Sequence, residues 1–183
     1  MPNNPVLRSL EEEKPDWIDW WHPTKNGNLT PQNIVAGSGK KVWWKCPKGE
    51  DHEWVASPDQ RKKSGCPYCS NRRVSNANNF RSVYPELVAY FHPSKNLPLV
   101  PEKLIASSSK RIWWICKDKI NHEWQQTPAQ LSSIQKKCPF CSFRKLTSDN
   151  NLKVLFPKIS SEFHPTRNKK LKTSELLPNA TMK

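Results

Sequence analysis

Eight side chains in this chain have the types and spacing of metal ligands. Cys46, His52, Cys66 and Cys69 follow the pattern Cys-x5-His-x13-Cys-x2-Cys, and Cys116, His122, Cys138 and Cys141 follow Cys-x5-His-x15-Cys-x2-Cys. Three thiolates and one imidazole make the closed tetrahedral set of a structural Zn2+ site, with no position left for substrate or a reactive water. The two sets use all six cysteines, so no odd thiol remains for disulfide or nucleophilic chemistry. Only the loop between the ligand pairs differs in length, because tetrahedral geometry constrains each close pair and not the chain outside the coordination shell. The expected cofactor is therefore two structural Zn2+ ions, one per complete repeat, each standing in for a hydrophobic core.

The elements that carry these ligands repeat as well. Val42-Trp43-Trp44-Lys45-Cys46, His52-Glu53-Trp54 and Cys66-Pro67-Tyr68-Cys69 return as Ile112-Trp113-Trp114-Ile115-Cys116, His122-Glu123-Trp124 and Cys138-Pro139-Phe140-Cys141. Upstream, segments starting at Pro15, Pro85 and Pro157 each run to a His-Pro pair at His22, His92 and His164, followed by Lys25-Asn26, Lys95-Asn96 and Arg167-Asn168. The three histidines lie 70 and 72 residues apart, which reveals a third copy. That copy stops at Lys183, aligned with Lys41 and Arg111, before any Trp-Trp-x-Cys, so the sequence reads as a fragment or a truncated gene product. The expected organisation is an N-terminal tail (1–14), zinc repeat 1 (15–74), a polar linker (75–84), zinc repeat 2 (85–146), a second linker (147–156) and the N-terminal part of a truncated third repeat (157–183). Without ligands, the third copy should be poorly folded unless it packs on repeat 2.

Within a repeat, the proline and the apolar residues Leu87, Val88 and Phe91 predict a short helix with proline in its first turn, ending near the His-Pro pair. A second short helix is expected near Pro31 and Pro101. Lys41 to Cys46 and His52 to Ala56 read as a β-hairpin whose turn carries two ligands, and Cys66 to Cys69 as a knuckle that brings the other two across. Neighbouring tryptophans on a strand point to opposite faces, so one of Trp43 and Trp44 should be buried.

Hydrophobic residues make up only 35% of the 183-residue chain and 17 residues are prolines, which argues for small metal-stapled units over one large core. Lysine and arginine number 30 against 16 acidic residues, a net charge of +14. Three thiolates and one Zn2+ leave each site at −1, so two loaded sites lower the total to about +12. Such a field attracts phosphates. No apolar run approaches a membrane span and no strongly basic amphipathic helix is evident, so nucleic acid is the expected partner and a membrane is not. The first seventeen residues lack the apolar stretch of a secretory signal, which points to an intracellular, reducing compartment (cytoplasm, nucleoid or nucleus) and to metal binding over a disulfide framework.

Basic residues recur around each metal motif. Lys40-Lys41 and Lys110-Arg111 precede the hairpin, Arg61-Lys62-Lys63 and Lys136-Lys137 precede the knuckle, Arg72-Arg73 and Arg144-Lys145 follow it, and Lys25, Lys95 and Arg167 follow the His-Pro pairs. Recurrence at matching positions makes these the candidate nucleic-acid contacts. His22, His92 and His164 recur without cysteines in the third copy, so they are read as helix-end residues that hydrogen-bond backbone carbonyls. Glu53 and Glu123 lack the second histidine of a metalloprotease motif and are read as structural, solvated or adjacent to the zinc-ligand region. His52 and His122 are committed to closed sites, so no catalytic residue is assigned, and a metal-dependent nuclease stands as a third possibility.

The order Trp, His-Pro-x-Lys-Asn, Trp-Trp-x-Cys, His-Glu-Trp, Cys-Pro-Tyr-Cys resembles a family of tandem probable zinc-ribbon repeats, described as treble-clef zinc fingers, over nearly the whole chain from Trp17. The resemblance implies a fold of small α+β zinc-stabilised repeats, treble-clef or zinc-ribbon-like units of short helices plus a β-hairpin, two complete and a third truncated. It also implies a nucleic-acid-binding array, duplex DNA favoured over RNA, in proteins that can carry a nuclease or other effector domain or subunit. The family has an arginine between its His-Glu-Trp and Cys-Pro-x-Cys segments, matched here by Arg61 but replaced by Leu131 in the second copy. The alternative function is a structural zinc module that docks on a protein or ribonucleoprotein through its tryptophans.

Overall fold

The computed structural model of the chain describes residues 8–133, 138–168 and 170–180. Two compact units result, Met1–Pro85 with Leu99–Ser107, and Glu86–Pro98 with Ser108–Lys183. Each contains one two-stranded antiparallel sheet and one set of metal ligands.

In the first unit, β1 (Val42–Lys45) pairs with β2 (Glu53–Ala56) so that Trp44 faces Trp54. Burial alternates along β1: Val42 and Trp44 point inward, while Trp43 and Lys45 are half-exposed, as the period of two on a strand dictates. A two-stranded hairpin is marginal in water by itself. This one is held along its free edge by the His-Pro-x-Lys-Asn segment. The Asn26 side chain accepts from Trp43 N at 2.7 Å and donates to Trp43 O at 3.0 Å, and His22 N donates to the same carbonyl at 3.2 Å. Asn26 thus mimics one more residue of a neighbouring strand.

The segment expected to be a helix before each histidine forms a 3₁₀ helix, Pro15–Trp20 in the first copy and Pro85–Tyr90 in the second. Bonds such as Trp21 N to Ile18 O (2.9 Å) close three-residue turns, and the His-Pro pair prevents a longer α-helix. Trp17 and Trp21 then both meet the fully buried Trp44 edge-on, with ring centroids 6.0 and 5.6 Å away. At Pro101 the second expected helix is a single 3₁₀ turn, Pro101–Lys103, and at Pro31 it is a turn only.

Four short α-helices, not anticipated above, complete the first two copies. α1 (Leu10–Glu13) and α2 (Pro58–Lys63) begin with capping boxes, Ser9 with Glu12 and Ser57 with Gln60. α3 (Phe80–Val83) starts from Asn79, whose side chain accepts from Ser82 N. In the second unit, β3 (Ile112–Ile115) and β4 (Glu123–Gln126) repeat the hairpin with Trp114 facing Trp124, Asn96 clips Trp113, and α4 (Pro128–Ser132) follows a Thr127–Gln130 capping box.

The third copy contributes α5 (Leu152–Leu155), α6 (Pro157–Ser161) and the 3₁₀ turn Thr173–Glu175. Leu152 N bonds Leu176 O at 2.8 Å, as Leu10 N bonds Ile34 O and Phe80 N bonds Leu104 O, so the third copy repeats the half of the unit that precedes the metal ligands. What it lacks is cover: Ile159 is 53% exposed, whereas its counterparts Trp17 and Leu87 are 9% and 2% exposed. Among the described residues no helix is long and apolar enough to cross a membrane.

Candidate metal centres and the basic surface beside them

The hairpin turn and the knuckle deliver the ligands as their spacing requires. Cys46 N bonds His52 O at 2.9 Å, closing the turn with both side chains on one side, and the chain after Cys66 turns back on itself through Ser70 N to Cys66 O at 3.2 Å. Cys46, His52, Cys66 and Cys69 form one group and Cys116, His122, Cys138 and Cys141 the other, with all ligand atoms of a group within 4.8 Å of one another.

The separations test whether zinc fits. With Zn–S of about 2.3 Å and Zn–N of about 2.0–2.1 Å, a tetrahedron has S–S edges of about 3.8 Å and S–N edges of about 3.6 Å. In the first site Cys46 Sγ lies 3.7 Å from Cys69 Sγ, and His52 Nδ1 lies 3.7 and 3.5 Å from the sulfurs of Cys66 and Cys69. The second site gives 3.8 Å for Cys116 to Cys141, and 3.5 and 3.4 Å from His122 Nδ1 to Cys138 and Cys141. A disulfide would need sulfurs about 2 Å apart, and all six cysteines are free. Chemistry agrees with geometry: burial first, then the neighbouring sulfurs, pushes the Cys69 and Cys141 thiols up to about 12, so three thiolates in one site require a cation among them. Both groups are consistent with structural Zn2+ held through three thiolates and Nδ1.

Each ligand imidazole packs on the aromatic residue of its own knuckle with centroids 5.0 Å apart, His52 stacked on Tyr68 at 11° and His122 tilted by 43° against Phe140. Tyr68 is tied in turn by its hydroxyl to Glu53 O at 2.8 Å. On the far ring edge the two sites diverge. His122 Nε2 lies 3.0 and 3.1 Å from the two carboxylate oxygens of Asp149, while buried His52 Nε2 has no hydrogen-bond partner among the described residues. No sequence signal marked Asp149, because Ala77 occupies its place in the first copy.

The recurrent histidines play a different part from the one expected. His22 Nδ1 accepts from Thr24 N and Lys25 N, both at 3.2 Å, and does not bond backbone carbonyls. That fixes the ring hydrogen on Nε2, 3.1 Å from Glu53 Oε1, and Lys25 pairs with the same carboxylate. His92, Glu123 and Lys95 repeat the arrangement with Nε2 to Oε1 at 2.8 Å. The hydrogen bond from Lys25, then the adjacent His22 ring, holds the Glu53 carboxyl at about 2, and Lys95 followed by His92 lowers Glu123 likewise. Glu53 and Glu123 therefore bind the His-Pro segment and not the zinc ligands. In the third copy His164 Nδ1 makes the same bonds to Thr166 N and Arg167 N at 3.2 and 3.1 Å.

Of the basic residues singled out from sequence, Arg61 lies over Trp17, Trp20 and Trp44, with its guanidinium carbon 5.1, 4.5 and 5.8 Å from the ring centroids and its Nε buried. Lys25 and Lys95 are committed to Glu53 and Glu123 and sit 4.8 and 4.6 Å from Trp43 and Trp113. Lys62 pairs with Glu13 at 3.3 Å and Lys63 with Asp59 at 3.0 Å. Lys40, Lys41, Lys110 and Arg167 are on the surface, apart from the clefts described next. Lys136 and Lys137 lie outside the described residues.

Arg72-Arg73 and Arg144-Lys145 are brought to matching places by the knuckle. Asn71 and Phe143 adopt left-handed φ values of 53° and 55°, which reverses the chain. Arg72 N and Arg73 N then both bond Pro67 O (2.8 and 3.0 Å), and Arg144 N and Lys145 N both bond Pro139 O at the same two distances. Each pair lines an open cleft. In the first unit the cleft measures about 440 Å3, bounded by Trp54, Gln60, Lys63, Pro67, Arg72 and Arg73. In the second it measures about 360 Å3, bounded by Arg111, Trp124, Gln130, Pro139, Arg144 and Lys145.

A repeated unit of this construction, with a ligand-bearing hairpin turn, a Cys-x-x-Cys knuckle and a closed Cys3His set, defines a small structural zinc finger. The family described as probable treble clef zinc finger domain matches the chain twice, over residues 17–72 and 87–144, and the chain belongs to it. Comparison with curated proteins gave no match.

Proposed function

We propose that the two zinc units form a nucleic-acid-binding array, with duplex DNA favoured over RNA, that serves as the recognition part of a longer protein or complex. The observation that supports this most is the recurrence of one basic cleft at the same place in both units, in a chain with 30 basic and 16 acidic residues. In the first cleft Arg72 is oriented by bonds from Nε to Ser70 Oγ (2.8 Å) and from Nη2 to Gly65 O (3.2 Å). A guanidinium has five donors, so an arginine fixed in this way keeps others for a phosphate. Zinc sets the shape of each unit and the arginines and lysines bind; phosphate contacts dominate, and affinity falls steeply with salt.

Titration of the zinc-loaded chain into duplex DNA, single-stranded DNA and structured RNA of equal length, over a range of salt and with and without Mg2+, tests the reading. Tight, salt-sensitive binding to one polymer, lost on charge reversal at Arg72, Arg73, Arg144 and Lys145, is the expected result. Binding to none of the three contradicts it, and Mg2+-dependent fragments would make the chain a nuclease.

A second reading, docking on a protein, is favoured by a different observation from the one first expected. Of the nine tryptophans, Trp20, Trp21, Trp43 and Trp113 are half-buried and the other five are buried, so only those four offer aromatic surface to a partner. Exposed apolar side chains gather instead on the third copy, at Val154, Phe156 and Ile159, while Leu97 and Ile120 of the second copy are exposed singly.

A further inference from the structure

We propose that the two zinc sites are unequal in affinity and that Asp149 is the positioning residue that makes the second the tighter, by fixing His122 with Nδ1 toward the metal. An imidazole that binds through Nδ1 carries its hydrogen on Nε2. A carboxylate that accepts this hydrogen locks the tautomer and ring orientation and makes the ligand nitrogen more basic. Asp149 meets both oxygens to His122 Nε2, at 3.0 and 3.1 Å, on a ring that is almost entirely buried. The carboxylate is itself held: Lys119 Nζ donates to it at 2.8 Å, and the Thr147 hydroxyl donates to its other oxygen.

Three substitutions remove this arrangement from the first site. Gly49 stands where the second copy has Lys119, Asp51 where it has Asn121, and Ala77 where it has Asp149. Asp51 is the nearest carboxylate to His52 Nε2, but at 3.9 Å it is beyond hydrogen-bond reach, and its other oxygen accepts from Asn76 N at 2.6 Å. Gly49 packs so closely on the ring edge that a β-carbon there would lie 2.8 Å from Nε2. The edge is thus buried and, among the described residues, left without an acceptor. Loss of such an outer partner costs about 10–100-fold in metal affinity, so the first site gives up its zinc first. This inference does not depend on what the units bind.

The experiment uses the full zinc-loaded chain, challenged with rising EDTA in the presence of a thiol-alkylating reagent, with alkylated peptides mapped by mass spectrometry. Cys66 and Cys69 should be modified at about 10–100-fold lower chelator than Cys138 and Cys141. Asp149→Ala should bring Cys138 and Cys141 down to the range of the first site, whereas Lys119→Ala, which leaves the carboxylate on His122, should move them much less. The double change Asp51→Asn with Ala77→Asp should delay modification of Cys66 and Cys69. A side-chain 15N–1H spectrum supplies a signature that a merely structural role would not move: an Nε2–H of His122 shifted downfield by its carboxylate acceptor, an Nε2–H of His52 without that shift, and loss of the shift in Asp149→Ala. Simultaneous modification of both sites in the unaltered chain overturns the proposal. Should Asp149→Ala fail to fold, the Asp51→Asn, Ala77→Asp variant decides alone, and an undelayed first site there overturns it equally.

Discussion

In the first unit the guanidinium of Arg61 lies among Trp17, Trp20 and Trp44; in the second, Leu131 stands in its place and Leu87, Tyr90 and Trp114 stand in theirs. Leu131 and Trp114 are fully buried. The exchange is concerted. A planar cation is tolerated beside a buried zinc site because indole faces receive it, and where two of those faces are gone an aliphatic side chain fills the space. With the metal fixing four points of each unit, the rest of the core can change in chemistry provided that its members change together.

The most damaging way to separate the units is to remove a ligand. Cys66→Ser should unfold the first unit and leave the second metal-bound, and Cys138→Ser the reverse, read as one retained zinc per chain and partial loss of near-UV signal. Next comes the shared tryptophan: Trp44→Ala and Trp114→Ala should each cost about 3–5 kcal/mol in denaturant unfolding of the affected unit. Exchanging the position that differs sharpens the contrast. Leu131→Arg should cost about 3–5 kcal/mol, because no indole cage receives the buried charge. The reciprocal Arg61→Leu should cost under about 2 kcal/mol, since it gives up cation–π contacts but also removes the unpaired buried Nε. Smallest of all, Ile159→Ser in the uncovered third copy should change stability by no more than about 0.5 kcal/mol, whereas Leu87→Ser at the corresponding buried position should be several times more costly.

The ligand sets, the hairpins and the duplication were legible because spacing encodes them directly. A Cys-x-x-Cys knuckle and a Trp-Trp strand are local, and each occurs twice. The capping boxes at Ser57–Gln60 and Thr127–Gln130 were equally present in the sequence and would have placed α2 and α4. The stretch 75–79 read as polar spacing, yet Asn78 and Asn79 spend their side chains on backbone groups and start α3, a role that composition does not distinguish from a loop. Glu53 and Asp149 were illegible for a stronger reason. Each acts on a histidine about thirty residues away in sequence, and the carboxylate near the ligand imidazole changes position between copies, from Asp51 to Asp149, so that aligning the repeats hides it. The resemblance set Arg61 apart from its basic run but left it among the candidate nucleic-acid contacts, because only the folded chain shows that this cation turns inward onto the tryptophans.

Native mass spectrometry of the full chain, followed by the same measurement after denaturation in acid, tests the zinc assignment most directly. Two zinc ions per folded chain, both released on denaturation to leave six free thiols, is the predicted result. A chain that folds without metal, or whose denatured mass shows disulfides, would contradict the assignment of both sites.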